Sequence, residues 1–228
     1  MTWVVVPAAG CGSRAGLALP KQYADLAGRP MLAWTLESLL EHPRIAGALV
    51  VLAAEDPHWP GWTRVAGKPV HTAVGGEERC DSVLAGLQAL PAEVDADDWV
   101  LVHDAARPCL SHAEIDALLA VRDHPVGALL AVPVADTLKR ADAQGDACAT
   151  IDRADAWRAL TPQMFRREPL RRALAEAVVA GARPTDEAAA MERLGCFPRL
   201  VPGRASNLKV TTGEDLALAA WWLGRQQR

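Results

Sequence analysis

The stretch WVVVPAAGCGSRAGLALPKQ, residues 3–22, begins as an unbroken apolar run, Trp3–Val6, and passes directly into a loop with three glycines, an arginine and a lysine. A strand that is apolar on both faces is buried on both faces, as in a mostly parallel sheet covered by helices. A glycine-rich loop at the exit of such a strand is a place for phosphates, because the backbone comes close and its N–H groups point inward. Three chemistries compete for it. A P-loop needs GxxxxGK[ST], and no Gly-Lys-Ser/Thr occurs in the chain. A dinucleotide site is weakly signalled by Gly10-Cys-Gly12-Ser-Arg-Ala15, but Gly16 and Pro20 interrupt the helix that motif requires. The first acids after the second strand, Glu55 and Asp56, also fall far beyond the ribose-binding spacing of about 20 residues. The third reading is a loop that wraps a nucleoside triphosphate. In it, Arg14 and Lys21 fold back across an irregular segment onto one polyphosphate.

The same alternation continues down the chain. Strands are predicted over Thr2–Val6, Ile45–Leu52, Val70–Val74, Trp99–Val102 and Gly127–Val134. Helices are predicted from Pro30 to Leu40, over Glu78–Leu90, from the Ser111 cap to about Asp123, and over Glu168–Ala180, Thr185–Leu194 and Glu214–Leu223. The fold class is therefore α/β: a Rossmann-like, mostly parallel sheet flanked by helices. One domain spanning residues 1–228 is expected, since no repeat or linker divides it. Two short β-like runs, Thr137–Arg140 and Ala147–Ile151, flank Gln144-Gly-Asp146 and predict a β-hairpin within about 136–158. A hairpin inserted in a parallel sheet must project from it. From spacing alone, a dimerisation arm and an ordinary surface hairpin both stand.

Three further constellations fall at strand ends. Gly75-Gly-Glu-Glu-Arg79-Cys-Asp-Ser82 leaves a strand and opens a helix, placing Arg79 and Ser82 in a first turn that welcomes anions. It is equally readable as a plain turn. Val102-His-Asp104-Ala-Ala-Arg107 lies at the C-terminal end of a buried strand, where ligands of open α/β sheets bind. Asp104 there could face a magnesium ion, directly or through water, whereas His103 is read as a hydrogen-bonded structural histidine rather than a base. Lys209, in Asn207-Leu-Lys-Val-Thr211, is either an edge residue whose head reaches solvent or a third cation for the site.

Composition narrows the classes. Half of the 228 residues are hydrophobic, enough for a sizeable core, and the net charge of −4 disfavours a nucleic-acid partner. No signal peptide or bilayer-spanning run is read. Five scattered cysteines without CxxC pairing predict the reducing cytoplasm. Cys11, inside the glycine loop, is read as a small filler because no base stands near it in sequence.

As an ordered set, these pieces resemble the 2-C-methyl-D-erythritol 4-phosphate cytidylyltransferases. The matching stretches are residues 7–14, 20–23, 75–83, 102–108, 136–137, 152–153, 160–163, 185–187 and 207–211, which run nearly from end to end. The resemblance implies a nucleotidyltransferase-type fold and transfer of a cytidylyl group from CTP to methylerythritol 4-phosphate, with pyrophosphate released. It implies Mg²⁺ or another divalent cation, held mainly by the CTP phosphates with a minor part for Asp104. By similarity, Pro7, Ala8, Ala9 and Gly10 line the nucleotide. Gly76, Glu77 and Ser82 read cytosine and ribose, Ala105 adds a backbone contact and Arg79 supports the loop. Arg14, Lys21 and Lys209 hold the triphosphate and the reacting phosphorus. Asp104, Arg107 and Thr137 place the erythritol, and Arg153 and Thr161, from a partner's arm, bind its phosphate in a homodimer. The nearest alternative acceptor is another polyol phosphate such as ribitol 5-phosphate. A fused, two-activity version is not expected.

Overall fold

The computed structural model describes residues 2–10 and 19–226. In chain order the strands are β1 (Thr2–Pro7), β2 (Asp25–Leu26), β3 (Arg29–Pro30), β4 (Ile45–Leu52), β5 (Arg64–Val65), β6 (Lys68–Val74), β7 (Trp99–Val102), β8 (Gly127–Pro133), β9 (Leu138–Ala141), β10 (Ala147–Ile151), β11 (Trp157–Arg166) and β12 (Arg199–Pro202). The helices are α1 (Met31–Leu40), α2 (Arg79–Gln88), α3 (His112–Ala120), α4 (Arg167–Val179), α5 (Glu187–Glu192) and α6 (Gly213–Gln226), with a single 3-10 turn at Lys21–Tyr23.

Eight strands form one sheet in the order β12-β8-β11-β7-β1-β4-β6-β5. β1 runs parallel to both β4 and β7, and β4 to β6. The alternate residues of β1 explain its apolar sequence. Val4 and Val6 pack under Leu32, Leu36 and Leu39 of α1 and Leu118 of α3. Trp3 and Val5 face the opposite side, with Val83 and Leu87 of α2 and Leu170 and Leu174 of α4. Each such fully buried side chain contributes on the order of 1.5–3 kcal/mol. α3 begins with the predicted capping box, Ser111 with Glu114. The cap of α5 is Asp186 rather than Thr185, its Oδ1 accepting from the Ala189 N–H at 2.9 Å.

The two-residue strands β2, β3 and β5 and two longer ones, β11 and β12, were not foreseen from the sequence. β12 is a four-residue edge strand parallel to β8. β11 is a ten-residue strand inside the sheet, antiparallel to both β7 and β8. Its Pro162 reads as a strand breaker because proline cannot donate to a ladder. The register with β8 breaks between Ala159 and Gln163, so Pro162 sits where no ladder bond is needed. Because β11 runs against β7, its N-terminal half lies beside the C-terminal exit of β7.

β9 and β10 pair only with each other, Leu138 opposite Ile151, and are exposed along nearly all of their length. The hairpin is thus present, shorter than the predicted span, since Trp157 and Arg158 belong to β11. It leaves the sheet where the Val134 N–H donates to the Ala156 carbonyl at 2.9 Å.

The junction between β8 and β11 tolerates no side chain at Gly127, which has φ +129° and whose added Cβ would lie 2.3 Å from the Met164 carbonyl oxygen. Gly127→Ala is expected to destabilise the fold by roughly 2–4 kcal/mol. Urea unfolding checks this: the midpoint should fall with the slope unchanged.

Candidate active site

The exits of β1 and β7, the turn between β6 and α2, the 3-10 turn at Lys21 and the segment before α6 meet around one cleft of about 370 Å³. Its place follows from the strand order: β1 lies between β4 and β7, so the connections leaving it diverge and open a crevice at the C-terminal ends. Pro7, Ala8, Ala9, Gly10, Gly76, Glu77, Arg79, Ser82 and Ala105, expected around the nucleotide, all line it, as do Lys21, Lys209 and Asp104. Gln22, Glu78, Ala106 and Thr211 line it too and were not singled out in sequence. Arg14 and Cys11 lie outside the described residues.

Close approach of backbone is built into the walls. A Cβ on Gly75 would stand 2.6 Å from Ser82 Oγ and 2.7 Å from Ala9 Cβ, so the β6–α2 turn and the β1 loop touch only because the residue is glycine. At Gly10 the same construction meets nothing within 4 Å, because that position faces open space. Gln22, buried, donates through Nε2 to the carbonyls of Ala8 at 2.7 Å and Gly10 at 3.2 Å. On the far wall, Thr35 of α1 donates to the Ala105 carbonyl at 2.9 Å.

The floor is organised by Asp104. Its carboxylate faces Arg79 Nε at 3.2 Å, Lys209 Nζ at 3.0 Å and Arg107 Nε at 3.4 Å. Burial opposes the charged form, but Arg79, Lys209 and Arg107 outweigh it and hold the carboxyl well below the usual range. Arg79 reaches on to Glu187, fully buried at the start of α5, through two bonds of 2.6 and 3.2 Å. Burial works against the Arg79 charge too, yet Glu187 and Asp104 together keep the guanidinium above its ordinary value. Lys209 and Arg79 both line the cleft and both pair with Asp104. In this floor three cations meet two carboxylates, and Lys21, Glu77 and Glu78 line the cleft around it.

Several expected site residues have positions that the sequence did not show. The Asp104 oxygens face three cations. Arg107 does not reach the cleft wall. It is buried, and its Nη1 donates to the Asn207 carbonyl at 2.7 Å, so it supports Asp104 and the segment carrying Lys209 from below. Thr161 is not on the hairpin but in β11, buried, where its hydroxyl accepts from the Asp104 N–H at 3.0 Å. The antiparallel run of β11 delivers it there. Thr137 and Arg153 are exposed at the two ends of the hairpin strands and do not line the cleft.

His103 is wholly buried between Thr161 Oγ1, 3.0 Å from Nδ1, and the Arg107 carbonyl, 3.1 Å from Nε2. The Arg107 carbonyl can only accept, so Nε2 carries the hydrogen; burial disfavours the imidazolium, so Nδ1 accepts from the Thr161 hydroxyl. The ring is therefore neutral and structural, as the sequence reading held. Asn207, also buried, donates to the Thr161 carbonyl at 2.8 Å and closes the network. Glu187 and Asn207 were visible in sequence only as polar residues within matching motifs; nothing there says whom they pair with.

Known proteins resemble this chain over nearly its whole length. The family described as 2-C-methyl-D-erythritol 4-phosphate cytidylyltransferase matches residues 2–225. A protein of that name from Stenotrophomonas maltophilia (strain R551-3) is 57% identical over 225 residues, covering 98% of this chain and 97% of its own. One from Xanthomonas campestris pv. campestris (strain 8004) is 56% identical over 227 residues, covering 99% and 86%. The crystal structure of a 2-C-methyl-D-erythritol 4-phosphate cytidylyltransferase from Francisella tularensis superposes with a TM-score of 0.81 at 33% identity, covering 97% of this chain and 99% of that one.

Burial holds the His103 ring down to about 4 from the ordinary 6.5. Below 6.5 the unfolded chain takes up a proton that the folded chain refuses, so this contribution to stability is complete above pH 6.5. It is lost as the pH falls towards 4, amounting to roughly 3 kcal/mol in all. Two measurements check this: unfolding midpoints should drop between pH 7 and pH 5, and the His103 imidazole should remain unprotonated by NMR at pH 5.

Proposed function

Because the chain belongs to the 2-C-methyl-D-erythritol 4-phosphate cytidylyltransferase family, we propose a division of labour among the residues of its cleft. The enzyme transfers the cytidylyl group of CTP to 2-C-methyl-D-erythritol 4-phosphate, a step of isoprenoid precursor synthesis. In our reading one domain does this. Pro7, Ala8, Ala9 and Gly10 run along the nucleotide, Gly76, Glu77 and Ser82 face cytosine and ribose, and Ala105 adds its backbone. Lys21 and Lys209, with Arg14 assigned the same task from its motif, neutralise the triphosphate. The observation that carries the reading is that Lys21 and Lys209, far apart in the chain, open onto the same cleft as the β1-loop backbone.

The nucleophile is a phosphate oxygen of the acceptor, anionic at neutral pH, so the reaction needs no general base. This accords with a neutral, buried His103. The oxygen attacks the α-phosphorus in line and pyrophosphate leaves. Rate comes from alignment and from cations placed where charge gathers. The divalent ion implied by this chemistry finds no cage here: among the described residues no three His, Cys, Asp or Glu side chains converge to hold a metal. We assign it to the phosphate oxygens of CTP, where it would shield charge.

The hairpin is assigned to a partner. Thr137 and Arg153, outside their own cleft, would reach the acceptor of a second subunit in a homodimer, while Thr161 acts within its own chain beside Asp104. No helix among the described residues is long and apolar enough to cross a membrane, and four described cysteines are free. Both features suit the cytoplasm, to which we assign the enzyme.

Pyrophosphate release tests the reading. It should be fastest with CTP over UTP, ATP and GTP, and with methylerythritol phosphate over ribitol 5-phosphate. Lys21→Ala should cost about 100-fold or more in kcat while the melting temperature holds within a few degrees. An unchanged kcat would remove Lys21 from the transition state. Sedimentation of a chain with residues 138–151 replaced by a short turn should give monomers where the intact chain gives dimers, with loss of activity; monomers from the intact chain refute the arm.

A further inference from the structure

Gln22 occupies a position that neither the sequence motif nor the cation count explains. It is 4% exposed, and its amide uses one nitrogen to bind two carbonyls, those of Ala8 and Gly10, at 2.7 and 3.2 Å. Those carbonyls bracket the exit of β1, where the chain enters the glycine loop. The Ala8–Ala9 peptide is trans, so its C=O and N–H point in opposite directions. Drawing the Ala8 oxygen to Gln22 therefore turns the Ala9 N–H the other way. Ala9 lines the cleft, and no acceptor among the described residues faces its N–H.

The neighbours of Gln22 make this more than a local contact. Lys21, immediately before it, lines the cleft. Tyr23, immediately after it, donates its hydroxyl to Asp56 Oδ2 at 2.8 Å, just beyond the exit of β4. The turn holding all three is closed by Tyr23 N–H to the Pro20 carbonyl at 2.8 Å and Ala24 N–H to the Lys21 carbonyl at 3.1 Å. Gln22 and Tyr23 thus staple the turn to two strand exits, and Lys21 has its backbone fixed relative to the Ala9 amide.

We propose that Gln22 is a positioning residue for cytidylyl transfer: through its two carbonyl contacts it aims the Ala9 N–H into the cleft and sets the register of Lys21 to it. It governs the hold on the phosphates rather than on cytosine. This rests on the placement of the triphosphate along the β1 loop.

The test uses Gln22→Met, which keeps the length and loses both donors, and Gln22→Glu, which sets a carboxylate against two carbonyls. Both are expected to lose about tenfold or more in kcat/KM for CTP. Inhibition by pyrophosphate should weaken in proportion, while inhibition by CMP stays within about twofold, since most of the CMP contact is made by the nucleoside. A residue that merely filled space would weaken pyrophosphate and CMP alike, or leave both unchanged in the Met variant, and either result overturns the proposal. Should the Glu variant fail to fold, the Met variant decides. Lys21→Ala separates the two layers. If it too keeps full activity, the triphosphate is misplaced; if it loses activity while the Gln22 variants keep theirs, only the positioning role is refuted.

Discussion

Asp104 is a buried carboxylate that cannot exist alone, and the site is what satisfies it. A charge taken out of water costs several kcal/mol unless it is paired and hydrogen-bonded. Asp104 meets that demand with Arg79 from the start of α2, Arg107 from its own loop and Lys209 from the segment before α6, and its backbone N–H is taken by Thr161 of β11. Arg79 in turn commits Glu187 of α5. One carboxylate therefore brings five separate parts of the chain to the mouth of β7. Removing Arg79 would leave the fully buried Glu187 without its ion-pair partner.

The same pairing that stabilises the floor holds cations ready for an anionic ligand. Asp104 and Glu187 hold the guanidiniums in place, and Lys209 and Lys21 line the same cleft. Preorganised charge of this kind needs no reorientation when charge builds up on phosphorus. It also accounts for the quiet role of His103: a neutral ring that spends both nitrogens on Thr161 and the Arg107 carbonyl spaces the floor and holds no proton in reserve.

Opposite the floor, the β1 loop is held by neutral contacts. Gln22 gathers its carbonyls, and Gly75 lets Ala9 and Ser82 close against each other. A rigid sheet therefore presents two differently built walls, one of fixed charge and one of backbone polarity, as α/β enzymes commonly do at loops beyond their strand ends. The hairpin of β9 and β10 belongs to neither wall, and its exposure along both strands is what leaves it available to another subunit in the proposed assembly.

The sequence by itself determined the elements whose pattern is local. β1, β4 and β7 declared themselves because burial on both faces leaves them almost wholly apolar, and α3 because Ser111 and Glu114 cap it within four residues. The motif glycines and Lys21 could likewise be assigned to a phosphate-binding loop, because strand, loop and cation lie within one short stretch. Pairings across the chain were decided only by the tertiary structure. β11 hid behind Pro162, which is tolerated solely because the neighbouring ladder breaks there. Thr161 read as part of the hairpin until the antiparallel run of β11 set it beside Asp104, and Arg107 gave no sign that its guanidinium would be buried against the Asn207 carbonyl. Gln22 and Glu187 had no readable partners, since a carbonyl 14 residues away or an arginine 108 residues away leaves no spacing signature. Periodicity records which face of an element is buried; it carries no information about which distant group a buried polar atom must satisfy, and that is fixed only when the chain has closed.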